Sequence, residues 1–184
     1  ETPSQVSDTK TFITLSQNTT YGIEIAASNG DGVWTPRQGP YVKGTRITVP
    51  TGANFVGSAS WYIEVSPKDE YIGLEWGDSG IWMERRNSAE GLAEENSGWQ
   101  QSTGVWRSEY DMSANREYYI VVRSRNRSGE VSGEIVVSTY TLAVEPHTPT
   151  VNAGYDIEKG YYSEIGVESD NPAGTEYAIT PDNG

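Results

Sequence analysis

The carboxylates, the single histidine and the tryptophans are the side chains of this chain that could do chemistry, and their spacing supports little of it. Glycoside hydrolysis needs two carboxyl groups about 5–10 Å apart in a cleft. Glu75, Glu84 and Glu168 instead fall in alternating, strand-like segments, where they read as residues of a solvated face. His147 is the only histidine and lies in Glu145-Pro146-His147-Thr148-Pro149. Without partners it builds neither a catalytic triad nor a metal site. Cysteine is absent, which removes thiol nucleophiles, thiolate metal sites and a disulfide framework. Asp78-Ser79, Glu94-Glu95-Asn96 and Asp182-Asn183-Gly184 offer oxygen ligands suited to Ca²⁺, but none has the spacing of a calcium loop, and they read as solvated turns. The expectation is a non-enzyme with no cofactor and no metal.

Two kinds of binding chemistry remain. Trp99 and Trp106 flank the polar stretch Gln100-Gln101-Ser102-Thr103-Gly104 and could present an aromatic platform to a glycan. The competing expectation places Trp76, Trp82 and Trp106 in a core, and Trp34 and Trp61 at junctions between modules. Asn18-Thr19-Thr20 and Asn126-Arg127-Ser128 are N-glycosylation sequons, with Asn18 and Asn126 expected in exposed turns; such triplets also arise by chance in Ser/Thr-rich chains. A net charge of −13 argues against a nucleic-acid partner, because a phosphate backbone asks for a basic surface. No apolar run approaches the roughly 18 residues that span a bilayer, so no transmembrane segment is expected. The N-terminus carries no leader-like segment, as for a processed chain or an internal piece.

The elements that would position any site repeat along the chain. Tyr21-Gly22-Ile23-Glu24-Ile25, followed by Asn29 and Gly32, recurs as Tyr118-Tyr119-Ile120-Val121-Val122, followed by Asn126 and Gly129, at an offset of 97 residues. A second match joins Tyr71-Ile72-Gly73-Leu74-Glu75-Trp76 to Glu164-Ile165-Gly166-Val167-Glu168-Ser169 at an offset of 93. Period-two alternation predicts strands at 11–15, 21–25, 46–49, 60–65, 70–76, 80–85, 118–123, 134–140 and 161–167. Gly, Asn and Pro clusters separate them, as turns require. Ser88 to Glu95 is the one helix-like stretch, and Gly91 interrupts it. Many short strands with frequent turns predict an all-β sandwich.

On these residues the chain resembles the fibronectin type III family, with an immunoglobulin-like β-sandwich fold. Leu15 to Tyr21 and Met112 to Tyr118 are similar to the family's tyrosine corner, in which a Tyr opening strand F closes an upstream turn. The resemblance implies Tyr21, Ile23 and Ile25 in one core and Trp76, Tyr118, Ile120 and Val122 in another. It puts Leu74-Glu75-Trp76 in strand B, with the Trp between the sheets, and Ile81-Trp82-Met83 and Glu176-Tyr177-Ala178-Ile179 in strand C. Ser169 then stands where Trp76 does, leaving Tyr162 or Tyr177 to fill that core.

The repeat register predicts residues 51–144 as a complete module. Residues 1–50 supply the later strands of a second module, ending in F and G. Residues 145–184 supply strands A to C of a further one, complementary to 1–50 of a neighbouring copy. Isolated half sandwiches leave apolar faces and strand edges in water. Three arrangements cure this: a longer covalent array, separate subunits completing one another head to tail, or closure of both halves within one chain. The expected function is a non-enzymatic extracellular or cell-surface structural or adhesive protein, forming a filament or long rod, with copies of itself as partners. The alternative is a carbohydrate-binding module of a secreted polysaccharide-degrading enzyme.

Overall fold

The computed structural model describes residues 9–180. Eleven strands follow in order among them: β1 (Thr20–Ile25), β2 (Gln38–Gly44), β3 (Ala53–Ser58), β4 (Ile63–Pro67), β5 (Gly80–Arg86), β6 (Ala93–Asn96), β7 (Trp106–Ser108), β8 (Glu117–Arg125), β9 (Ile135–Tyr140), β10 (Thr150–Asp156) and β11 (Gly160–Gly166). The described residues contain no helix, and Ser88–Glu95 is a turn running into β6.

The middle strands form a fibronectin-III-like sandwich. One sheet is β3-β4-β7 and the other is β6-β5-β8-β9, with every pairing antiparallel. Alternation explains the core. Ile63 and Val65 of β4, Ile81 and Met83 of β5, and Tyr118, Ile120 and Val122 of β8 turn inward and are fully buried. Trp106 of β7, Leu74 and Ile47 complete the cluster. Burial of this many large side chains, at roughly 1.5–3 kcal/mol each, is what holds a module without disulfides together.

Strand B is β4, not Leu74-Glu75-Trp76. Residues 72–75 form turns between Gly73 (φ 68°) and Gly77 (φ 58°), left-handed conformations that interrupt any strand there. Leu74 still reaches the core, but Trp76 is 55% exposed, and Trp106 supplies the core indole instead. Trp82 lies on the outer face of β5, half-buried rather than central. The match at an offset of 93 is therefore not a structural equivalence, and Ser169 does not stand in for Trp76.

The flanking segments are two-stranded. β1 pairs with β2, β10 pairs with β11, and the two hairpins do not pair with each other. Ile25 is 60% exposed, whereas Val122, 97 positions on, is wholly buried; Tyr21 and Ile23 are half-buried. The core expected around Tyr21, Ile23 and Ile25 is thus open among the described residues. Predicted strands at 11–15, 46–49 and 176–179 are not strands. Thr9–Thr11 lies 97 residues before β7, and Tyr177–Thr180 lies 97 residues after Gly80–Met83 of β5. In the sandwich those strands pair with β4 and β8, and among the described residues neither half contains the strand of that kind.

Candidate functional site

Both tyrosine corners form. The Ser113 N–H donates to the Tyr118 hydroxyl at 2.7 Å, and the Ser16 N–H donates to the Tyr21 hydroxyl at 2.9 Å. Each corner contains an asparagine with φ 46°, Asn18 in one and Asn115 in the other. Asparagine tolerates this left-handed conformation better than most residues. A threonine just after the last strand closes each corner: Thr45 Oγ1 donates to Ser16 O at 2.7 Å, and Thr141 Oγ1 donates to Ser113 O at 2.6 Å. The Asn18 N–H donates to Arg46 O and the Asn115 N–H to Leu142 O.

The loops after β1 and β8 repeat as closely. Asn29 Oδ1 accepts from the N–H groups of Asp31 and Val33, and Asn126 Oδ1 accepts from those of Ser128 and Glu130. Backbone bonds join Asn29 to Val33, and Asn126 to Glu130, at 3.0 Å each.

These parts meet at a joint. Asn18 is 1% exposed and spans two loops of the middle module. Its Nδ2 donates to the carbonyls of Ile72 (2.8 Å) and Gly73 (2.9 Å), and its Oδ1 accepts from the Arg127 N–H at 2.9 Å. Asn126 Nδ2 reaches back to Thr45 O at 3.1 Å, and the Gly44 N–H donates to Ser128 Oγ at 3.1 Å. A Cβ on Gly44 would stand 2.5 Å from that Oγ, so glycine permits the close approach. Lys43 pairs with Glu130, and this bond, ahead of the one from Asn126, holds the Glu130 carboxyl below its ordinary range. Arg127 lies over Trp76 at 5.3 Å, which explains an exposed indole at this end of the module.

Asn18 and Asn126, expected in exposed turns, are both buried, and their Nδ2 atoms are hydrogen-bonded. Attachment of a glycan to either amide is incompatible with this packing. Of the two indoles expected to contact a glycan, Trp106 is 9% exposed within the core cluster. Trp99 is half-buried between Trp82, 5.6 Å away, and Arg125, whose guanidinium stands 4.5 Å over its ring. The two sides of the expected platform are therefore not brought together.

Charge on the outer face is structural in arrangement. Glu84, 3% exposed, accepts hydrogen bonds from Trp82 Nε1 (2.8 Å), Arg86 Nε (2.7 Å) and Arg123 Nη2 (3.1 Å). Burial pushes its pKa up, but the bonds from Trp82 and Arg86 and the charges of Arg123 and Arg86 outweigh that and hold it below the usual carboxylate range. Burial, with Asp69 adding to it, pushes the Tyr71 hydroxyl well above its ordinary value. Glu75 and Glu168 are exposed and show no such cluster. His147 meets Asp170 at 3.3 Å on an exposed segment. Among the described residues no group of three or more His, Asp or Glu is disposed to hold a metal, and no helix is long and apolar enough to cross a membrane. Asp182, Asn183 and Gly184 lie outside the described residues.

The sequence signal for the joint is that Asn18 recurs as Asn115 at the same offset of 97 that relates Asn29 to Asn126.

No family model matches the chain, and no curated protein does. Among solved structures, the chicken CNTN1 FN1–FN3 domains are similar at 14% sequence identity and a TM-score of 0.40, over 76% of this chain and 50% of that one. The chain thus spans half the length of that neighbour, and the sheets described above identify its fold as an all-β, fibronectin-III-like sandwich.

Proposed function

We propose that the chain is a non-enzymatic structural or adhesive subunit, extracellular or at a cell surface, that assembles head to tail into a filament. In this reading residues 51–144 are a complete module, and 145–184 of one copy combine with 1–50 of the next into another. The observation that carries it is the complementarity of the two end segments. β10–β11, with Tyr177–Thr180 behind it, has the chain order of strands A, B and C. Thr9–Thr11, β1 and β2 have the order of E, F and G.

Among the described residues the C-terminal half has no strand like β8, which β1 resembles, and the N-terminal half has none like β4, which β11 resembles. Ile23 and Ile25, which stand at the positions of the buried Ile120 and Val122, would then close over a shared core. Contact between different surfaces of identical subunits, without ring closure, grows an open fibre. The fold is one that extracellular proteins use for reach and spacing, and a charge of −13 keeps such rods apart from one another.

Sedimentation and electron microscopy of the purified 184-residue chain test this. The expected result is a concentration-dependent series of rods lengthening by two modules per subunit. A compact monomer at all concentrations, with residues 1–50 packed on 145–184 of the same chain, overturns it.

A further inference from the structure

We infer that the loop Ser28–Val33 of a second copy docks on the tyrosine-corner end of the middle module, at Asn115, as the loop Asn126–Glu130 docks on Asn18 within this chain. The inference rests on the assembly proposed above and specifies a contact that assembly alone does not require.

Asn18 has both ends of its amide engaged: Nδ2 holds the turn at Ile72–Gly73, and Oδ1 holds the Arg127 N–H. Asn115 has the same φ of 46° and the same backbone bond to the strand that follows. Its Nδ2 also reaches a turn of the next segment, donating to Thr175 Oγ1 at 2.8 Å. That turn is closed by a bond from Thr175 N to Pro172 O, as the first is closed by Trp76 N to Gly73 O. Among the described residues, however, nothing donates to Asn115 Oδ1, and Asn115 is only half-buried. At the other end of the chain Asn29 is exposed, and no hydrogen bond from its Nδ2 is present among the described residues, whereas the equivalent Nδ2 of Asn126 meets Thr45 O. A half-used asparagine at each end matches one contact that is complete in the middle.

The equivalences name the partners. Arg127 corresponds to Gly30, so the Gly30 N–H of the second copy donates to Asn115 Oδ1. Asn126 corresponds to Asn29, whose Nδ2 donates to the carbonyl of Thr141, the counterpart of Thr45. Gly44 faces Thr20 in its hairpin as Tyr140 faces Glu117, so the pair Gly44 and Ser128 becomes Tyr140 and Asp31. Here the two joints differ. Tyr140 carries a side chain where Gly44 has none, so Asp31 must turn aside. The Lys43–Glu130 ion pair becomes Thr139 and Val33, so the intermolecular joint carries no ion pair at that position.

Because the chain has no cysteine, disulfide trapping has no background. A Cβ on Gly44 would lie 3.4 Å from the Ser128 Cβ, close to the separation a disulfide needs. Gly44→Cys with Ser128→Cys is therefore the control and should close within one chain. Tyr140→Cys with Asp31→Cys should give a ladder of linked chains on oxidation, and the two single variants mixed should stop at linked pairs. Native-state hydrogen exchange of the unmodified protein supplies a second readout: the Gly30 amide should slow at least about tenfold on assembly, toward the protection that Arg127 has already. Rods without the ladder and without Gly30 protection overturn this joint and leave head-to-tail assembly standing. Failure to associate at all overturns both.

Discussion

β8 and β1 begin with the same corner and end in different surroundings. Tyr118 and Tyr21 each accept one backbone N–H from five residues upstream, both corners hold an asparagine at φ 46°, and both are closed by a threonine just after the last strand. Yet Ile120 and Val122 are fully buried, while Ile25 stands mostly in water. Local hydrogen bonding is written in a dozen consecutive residues and forms in either place. Burial needs the facing sheet, and among the described residues only the middle module has one. The comparison separates what a segment can do alone from what it must obtain from a neighbour.

The sharpest way to break it is in the core. Ile120→Ala should destabilise the middle module by about 3–4 kcal/mol, read by denaturant unfolding, because the cavity cannot collapse between two packed sheets. Ile23→Ala should cost about 1 kcal/mol or less in unassembled chains and rise toward the Ile120→Ala value once rods form. Equal effects in unassembled chains would show that β1 already has a complete core.

Next in size is the outer face of β5. Glu84→Gln should cost about 2 kcal/mol, less than the 3–5 kcal/mol of a fully buried pair because Arg123 and Glu134 keep contact with water. Within the hairpin β1–β2 the exposed pair Arg37–Glu24 gives the comparison, and Glu24→Gln should change stability by no more than about 0.5 kcal/mol.

The corners themselves should differ less. Tyr118→Phe is expected to cost about 1 kcal/mol, since it removes a part-buried bond made by a fully buried ring, and Tyr21→Phe about 0.5 kcal/mol, since water replaces the hydroxyl at the exposed Ser16. Thermal unfolding followed separately by middle-module and hairpin signals would read both.

Smallest at neutral pH is the titration of Glu84. Its folded pKa lies below its unfolded value, near 4.3, so the stabilisation is complete above that value and is lost as pH falls through the folded pKa. Acid should therefore weaken the wild-type module more than Glu84→Gln, and the two stability curves should converge only once the pH has fallen below the folded pKa of Glu84. Parallel curves would remove Glu84 from the account.

The parts of the fold legible in the sequence were those encoded by side-chain alternation over short distances. Tyr118 to Val122, Ile81 to Met83 and the stretch ending at Tyr140 form the strands expected of them. Strand B was misplaced because Leu74 is a core residue and Trp76 an aromatic beside it, which resembles a strand pattern; Gly73 and Gly77 make that stretch a turn. β3 and β10 escaped notice because Asn54, Gly57, Asn152 and Gly154 are poor strand formers, held there by pairing with β4 and β11. The amides of Asn18 and Asn126 looked like glycan acceptors because a sequon says nothing of burial, which long-range packing decides.

One arrangement on the middle module has an optical consequence. Trp82 and Trp99 lie 5.6 Å apart with their planes at 55°, so their transition dipoles are close and neither parallel nor perpendicular. Two indoles in that relation couple and give a paired positive and negative circular dichroism band in the ultraviolet. The signal belongs to β5 and the segment after β6, and to nothing in β1–β2 or β10–β11. A spectrometer that follows this indole couplet can therefore watch the complete module melt apart from whatever happens at the ends of the chain.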